Sequence, residues 1–451
     1  MRPRARGAAL SFGISASGST ISREVIAGFT TFGAMSYIVV VNPAILSATG
    51  ANVHDLITVT ALAAMVGTLI MALFARLPIA LAPGMGSNIV FAQVVVVRMG
   101  LSYGTALTMV LIGALIFVCL SLTRFRDRLV QGFPEAIRLG LQCGIGLFIA
   151  YLGLKNGGIV MHDAHGGVSF ASLRHPAILV VFLGMLFTPV LLALRIPGAL
   201  LLSIVAVSII GLFVPAGAGR MMTPYPTHIV SLPSIPRSLL FAFDVRQFTS
   251  HVFLVLPITL YFFLSDFFSA TATLIGVTRR GGMMDADGRI PNARRAYLAD
   301  GIASVIGAML GSPTVVAYVE SAAGVESGGR TGLTAVVVAA LFGASLFFWP
   351  LIAIVPAQAT APALVIVGVL MMEGIRDLGR ERPEDAIATI LILLVTVTTT
   401  DLMMGLSTGC LAYTLIVLAT RAWDRITPML LCIDIILIGY VVLVTETFRS
   451  G

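Results

Sequence analysis

Leu310-Gly-Ser-Pro-Thr-Val-Val-Ala-Tyr-Val-Glu-Ser-Ala-Ala-Gly-Val325 is an apolar segment cut to half length. A Gly-Ser-Pro break opens it, and Glu320 follows on an otherwise apolar helical pattern. The segment lies between an apolar run ending near Met309 and another that starts after Arg330. It is too short to cross a hydrocarbon core of ~30 Å, which takes ~20 helical residues. An ionisable side chain at that depth costs roughly 2.5–3.5 kcal/mol on insertion scales, so it should face protein or water and mark a pathway. A second broken segment, Ala82-Pro-Gly-Met-Gly-Ser-Asn88, sits in the first half of the chain. Two short, Gly/Pro-interrupted segments in corresponding halves point to the binding site of a secondary transporter.

Composition sets the class. Hydrophobic residues make up 58% of the 451 and charged residues only 11%, with a mean hydropathy of +1.01. Soluble domains carry about 25% charged residues, so the chain reads as a polytopic membrane protein embedded in the lipid bilayer. At ~20 residues per crossing plus short connections there is room for roughly fourteen spans. The net charge of +7 comes from arginine, Lys155 being the sole lysine, and reads as loop charge on the cytoplasmic side. No basic run is interleaved with aromatics, so nucleic-acid binding is not expected. Cys119, Cys143, Cys410 and Cys432 all fall in apolar runs without a C-x-x-C, as small core residues do. Arg2, Arg4 and Arg6 precede a Ser/Gly/Ala stretch without a sustained apolar region. The first span, not a cleaved signal peptide, is therefore expected to direct insertion.

Seven apolar segments over 22–215 and seven over 248–420, the broken one third in each, predict an all-α fold of two inverted seven-helix repeats. Pro215 to Val245 is the loop between them, and 428–446 is an additional apolar segment whose path the sequence leaves open. Arginines cluster at 2–6, 124–128, 279–295, 376–382 and 421–425, which alternate spanning places on one side. That pattern puts the N-terminus in the cytoplasm.

Few polar residues interrupt the spans. Glu320 is surrounded by small residues and Tyr318, with no basic neighbour in sequence. Its carboxylate can accept two adjacent N–H groups of a neutral heterocycle, or carry a proton where burial favours the neutral form. Asp266, Ser269 and Thr273 fall at i, i+3 and i+7 on one stripe of an aromatic-rich helix. Helix–helix contact is the structural alternative for both acids. Asn88 follows the Pro83-Gly84 break, where a half-helix N-terminus offers free N–H donors and a positive dipole end, and its amide can also be read as a cap of that half-helix. Phe91, one turn on, could stack on a planar ring. Asp300 and Ser304 share a face and read as structural, the carboxylate answering Arg294 or Arg295, and Asp401 reads as a cap or loop residue. His162-Asp-Ala-His165 lies in a Gly-rich loop without a further ligand, and Asp285-Ala-Asp-Gly288 lacks the closing Glu of a calcium loop. Neither is read as a metal site, and no cofactor is expected.

Several stretches taken in order resemble the nucleobase:cation symporter-2 superfamily, in its AzgA-like branch of adenine/guanine/hypoxanthine permeases. They are Arg23-Glu-Val-Ile-Ala-Gly-Phe-Thr-Thr-Phe32, Val41-Asn-Pro-Ala-Ile-Leu46, Ala82-Pro-Gly-Met-Gly86 with Asn88, and Asp287-Gly-Arg-Ile-Pro-Asn-Ala-Arg-Arg295. Ala317-Tyr-Val-Glu-Ser-Ala-Ala-Gly-Val325 with Gly328-Gly-Arg-Thr-Gly332, and Ala359-Thr-Ala-Pro-Ala-Leu364, complete the set. The resemblance implies a fourteen-helix fold with a core domain (helices 1–4 and 8–11) and a gate domain (5–7 and 12–14). It also implies that Asn88 and Glu320 hold a purine, with helix 8 supplying the other polar contact. Where the family reads Asp-x-x-Asp-Thr-x-Gly-Thr, this chain has Asp266-Phe-Phe-Ser269-Ala270-Thr271-Ala272-Thr273, so the second carboxylate is missing.

The expectation is a permease, not an enzyme, in a bacterial cytoplasmic (inner) membrane, importing a neutral nucleobase, above all a purine such as guanine, hypoxanthine or adenine, by proton symport, with sodium the lesser candidate. Its substrate contacts would be Asn88, Phe91, Asp266, Ser269 and Glu320, its coupling groups Asp266 and Glu320. A homodimer is left open. The rivals are a xanthine/uracil-type permease and a sulfate/bicarbonate-type anion carrier of the same fold, whose anion Glu320 would repel. A membrane-embedded enzyme would need a nucleophile–base pair that the spans do not offer.

Overall fold

The computed structural model describes residues 12–14, 17–123, 134–162, 168–217, 220–284, 290, 292–372, 375, 383–399 and 401–449. The Arg124–Arg128 tract, residues 163–165 of the His-containing loop and Asp285-Ala-Asp-Gly288 lie outside them. The first seven helical segments are α1 (Ile21–Thr49), α2 (Val53–Ala75), α3 (Met85–Arg98), α4 (Tyr103–Ser121), α5 (Glu135–Asn156), α6 (Pro176–Ala193) and α7 (Ala199–Gly211). The second seven are α8 (Val252–Arg280), α9 (Ala293–Leu310), α10 (Ser321–Glu326), α11 (Gly332–Ala353), α12 (Ala357–Met371), α13 (Pro383–Thr399) and α14 (Leu402–Ala419). A last helix, α15 (Pro428–Arg449), follows. Among the described residues eight helices (α1, α2, α4, α5, α6, α8, α11 and α14) are long and apolar enough to cross a membrane by themselves.

The chain marks its helix starts with side chains that satisfy free N–H groups. Thr20 accepts from Arg23 N at α1, Asn52 from His54 N at α2, Ser102 from Thr105 N at α4 and Thr331 from Leu333 N at α11. Asp401 caps α14 by accepting from Met403 N and Met404 N, as a cap reading expects. α8 ends on Arg279 and Arg280, cations that suit the negative end of a helix.

Both broken segments open with a strand, an element that the apolar pattern does not announce. Leu81–Pro83 (β1) and Val315–Ala317 (β2) pair antiparallel, Leu81 facing Ala317 and Pro83 facing Val315. Inside a bilayer irregular backbone is tolerated only where protein satisfies it, and each strand supplies the other. The helical pattern expected around Glu320 is therefore shorter than it reads. β-branched Val315 and Val316 belong to the strand, and Glu320 stands at the cap of the six-residue α10.

The pairing shows how the halves are related. Gly84 N–H donates to Thr314 O at 2.9 Å, and Tyr318 N–H donates to Ala80 O at 3.0 Å, the same bond made in both directions. Helix packing repeats it: α1 lies on α11 as α8 lies on α4, α2 on α11 as α9 on α4, and α5 on α13 as α12 on α6. These are the inverted repeats. α1–α4 with α8–α11 form the core domain, and α5–α7 with α12–α14 the gate. In the gate α5 crosses α12 backbone to backbone at Gly146 and Gly368, where a Cβ on Gly368 would fall 2.7 Å from Ala150 N. α15 runs antiparallel along α14, Thr414 donating to Asp434 near one end and Tyr440 to Asp401 near the other.

Candidate functional site

Polar groups collect where β1 and β2 cross. N–H groups along a strand alternate sides, so Leu81 and position 83 turn toward α2, while Val315 and Ala317 turn toward α9. Thr68 of α2 serves Leu81 twice, accepting its N–H at 2.9 Å and donating to its carbonyl at 2.8 Å. Ser304 of α9 does the same for Val315, at 3.0 and 2.9 Å. The next N–H breaks the likeness. Ala317 donates to Asp300 Oδ1 at 2.8 Å, whereas Pro83 has no N–H to give. Asp300 thus answers a strand N–H deep in the protein, not Arg294 or Arg295 as its place in the sequence suggests. Arg294 is exposed and reaches Leu122 O.

Asp266 of α8 stands beside this group, its Oδ2 2.8 Å from Ser304 Oγ. One hydroxyl proton cannot serve both Asp266 Oδ2 and Val315 O. Asp266 Oδ1 and Asp300 Oδ2 are buried without a hydrogen-bond partner, and the two carboxylates are near enough to act on each other electrostatically. Ser269, half-buried, is one turn further along α8. Glu320, half-buried at the α10 cap, accepts from Tyr37 Oη at 2.7 Å, and Tyr37 sits in the break of α1. Ser321 beside it accepts Ala80 N–H at 3.0 Å, which ties α10 to the approach of β1.

The first repeat contributes amides. Asn88 Nδ2 donates to Asn42 Oδ1, and Asn42 Nδ2 donates to Thr60 Oγ1 at 2.8 Å. Asn88 is fully buried, and its own Oδ1 has no partner. Phe91, also fully buried, is packed edge-on against Tyr103 with centroids 4.7 Å apart. Tyr103 in turn donates to Gly311 O at 2.8 Å across the repeats. Asn42, Thr60, Tyr37 and Thr68 escaped the sequence reading. The Asn42-Pro43 pair inside an apolar span was the available signal for the first of them.

Core and gate meet around the same helices. A Cβ on Gly86 in the first turn of α3 would fall 2.7 Å from Ile145 of α5. At the far end of α3, Arg98 pairs with Asp401 at 3.1 Å, a bond from the core domain to the gate. Among the described residues no group of three or more His, Cys, Asp or Glu gathers as a metal site.

Comparison with known proteins places these features. The Xan_ur_permease model, described as the Permease family, matches residues 22–407. The chain is 37% identical to the guanine/hypoxanthine permease PbuO of Bacillus subtilis, over 93% of this chain and 96% of that one. It is also 37% identical to the adenine permease AdeQ of Escherichia coli, over 93% and 92% of the two chains. Among solved structures, the transmembrane domain of a cyanobacterium bicarbonate transporter, BicA, superposes with a TM-score of 0.65 at 16% identity, over 86% of this chain and 97% of that one. The murine Slc26a9 anion transporter in its inward-facing state gives 0.63 at 12% identity, over 93% and 73%. These two likenesses carry the fold alone: inverted repeats with core and gate domains. With the family model covering most of its length, this chain belongs to the permease family of the nucleobase:cation symporter-2 superfamily, in its purine branch, and is a transporter, not an enzyme.

Proposed function

We propose that the protein imports a neutral purine base, of the guanine, hypoxanthine or adenine type, into a bacterial cell across its cytoplasmic membrane. One observation carries this reading: spare amide and carboxyl oxygens around the β1–β2 pair can accept hydrogen bonds. Asn88 Oδ1, Asp266 Oδ1 and Asp300 Oδ2 are buried and unpartnered, and Glu320 adds a carboxylate at the α10 cap. A buried acceptor without a donor costs ~1–3 kcal/mol, and ring N–H and amino groups of a flat uncharged base remove that cost. An anion would meet like charge there, which disfavours the sulfate/bicarbonate alternative. Glu320 and Asn88 take the base, Asp266 polarises the site, and Ser269 and Phe91 complete its wall. The purine relatives support a purine over a xanthine/uracil-type substrate.

Counting protons at Ser304 supports proton symport. When Asp266 is ionised, Ser304 donates to it and Val315 O goes without. When Asp266 carries a proton it can donate to Ser304, freeing the hydroxyl for Val315 O, the bond that Thr68 gives Leu81. A proton on Asp266 thereby completes the backbone of β2, which leads to Glu320. The arginine clusters support a cytoplasmic N-terminus, and a homodimer is compatible with this arrangement.

In proteoliposomes with an inward proton gradient, wild-type protein should accumulate radiolabelled hypoxanthine, guanine or adenine, and a protonophore should abolish the accumulation. Glu320→Gln should cut uptake by about tenfold or more, the equivalent of ~1.4 kcal/mol or above. Unchanged uptake of these bases and of uracil by Glu320→Gln would overturn the assignment.

A further inference from the structure

We infer that Thr60 and Asn42, which contact no substrate, fix which end of the Asn88 amide faces the base, and so set the site to read a hydrogen-bond donor there. This rests on the reading of the β1–β2 crossing as the base site and deepens it.

An amide side chain has an acceptor end and a donor end of nearly the same shape. Left to itself, Asn88 could present either. Its neighbours remove the choice one proton at a time. Thr60 Oγ1 lies 2.7 Å from Leu56 O, the carbonyl one turn earlier on α2, so its only proton is spent on that backbone group. Toward Asn42 the Thr60 oxygen can then only accept, which requires Asn42 to turn Nδ2 toward it. That turn leaves Asn42 Oδ1 facing Asn88, and only Nδ2 of Asn88 can meet it. Rotating the Asn88 amide by half a turn would set two carbonyl oxygens against each other. Asn42, Thr60 and Asn88 are all fully buried, so water is not there to repair a mismatch. The outcome is the unpartnered, buried Asn88 Oδ1, a carbonyl acceptor held ready at the first turn of α3.

Thr60 and Asn42 are therefore positioning residues whose effect is selectivity. Adenine and hypoxanthine are a suitable pair of probes, because they exchange donor and acceptor along one edge: an amino group and bare ring nitrogen in adenine, a carbonyl and ring N–H in hypoxanthine. A fixed acceptor at Asn88 ranks the two. An amide free to turn ranks them less sharply or the other way.

The experiment measures competition by adenine and by hypoxanthine against a labelled purine on full-length protein in proteoliposomes, and reads the ratio of the two inhibition constants. Thr60→Val keeps the side-chain shape but has neither proton nor acceptor, and should change the ratio by about tenfold, the equivalent of ~1.4 kcal/mol. Thr60→Ser restores the hydroxyl and should keep the wild-type ratio, which a packing role for Thr60 would not require. Asn42→Leu removes the middle link and should move the ratio in the same direction as Thr60→Val, so either variant suffices if the other fails to fold. Asn88→Leu separates the two readings. If it weakens both bases while Thr60→Val and Asn42→Leu leave the ratio within about twofold (~0.4 kcal/mol), the relay is wrong and the site stands. If Asn88→Leu changes neither base, the site reading and the relay fall together.

Discussion

The two repeats meet at one crossing with the same backbone and opposite chemistry. In the first, the polar groups are neutral: Thr68 on Leu81, Pro83 with nothing to donate, and the Thr60–Asn42–Asn88 chain. In the second they are acidic: Ser304 on Val315 and on Asp266, Asp300 on Ala317, and Glu320 at the α10 cap. α1, α2 and α3 supply the first set, and their repeat partners α8, α9 and α10 the second. On the proposed reading a duplicated scaffold is divided, one half orienting a neutral amide and the other holding the groups that can carry protons. Interrupted helices need internal hydrogen-bond partners whatever they transport. The two repeats meet that need in the same way at Leu81 and Val315 and in different ways two residues later.

Thr68 and Ser304 are the sharpest test of that division. Thr68→Val and Ser304→Ala each strand one N–H and one carbonyl, and each should cost ~2–6 kcal/mol in thermal or denaturant unfolding. Only Ser304 also touches a carboxylate. Ser304→Ala should abolish gradient-driven accumulation of purine while leaving exchange of base across equal pH, and Thr68→Val should leave the coupling intact. Equal loss of coupling in both variants would mean that the division into an orienting and a protonating half is mistaken.

Asp300 comes next. Asp300→Leu leaves the Ala317 N–H unanswered in a fully buried place, and should destabilise by ~1–3 kcal/mol. Asp300→Asn keeps an oxygen for that N–H while removing a titratable group beside Asp266, so its stability should stay within ~1 kcal/mol of wild type. A change of coupling in Asp300→Asn, read as the shift of uptake with external pH, then reports on the ionisable group and not on the strand. A loss of stability as large in Asp300→Asn as in Asp300→Leu would show that the carboxylate is needed for something other than the strand.

How much of this could be read in advance depends on whether the cause is local. The two breaks were legible because Pro83, Gly84, Gly311 and Pro313 interrupt apolar runs wherever they fall. The repeat order and the half-length α3 and α10 followed from them. The strand pair was not legible, since Leu81–Pro83 and Val315–Ala317 are too short for a periodic signal and find each other only in the folded chain. Asp300 was matched to Arg294 and Arg295 because they precede it on the same helix, while its true donor is set by how β2 lies against α9. Asn88 was visible beside its break. That its orientation is decided by Thr60, two side chains away, depends on three helices meeting, and no spacing in the sequence records it.

The smallest expected effect comes from giving the first repeat what the second already has. Pro83→Ala adds an N–H to β1 at the place where Ala317 has one in β2. The second repeat meets that N–H with Asp300, but the corresponding stretch of α2, Ala64 to Thr68, carries no carboxylate, and Thr68 is already committed to Leu81. The added donor should therefore cost ~1–2 kcal/mol of stability, and the freer unfolded chain of the alanine variant adds to that loss. Uptake of hypoxanthine should be nearly unchanged, since neither Asn88 nor Glu320 loses a partner. Ala64→Asp in the Pro83→Ala background puts a carboxylate four residues before Thr68, as Asp300 stands four before Ser304, and should recover part of the loss if the two-fold relation extends to side chains. A double variant less stable than Pro83→Ala alone would confine that relation to the backbone and place the origin of Asp300 in the second repeat's own packing.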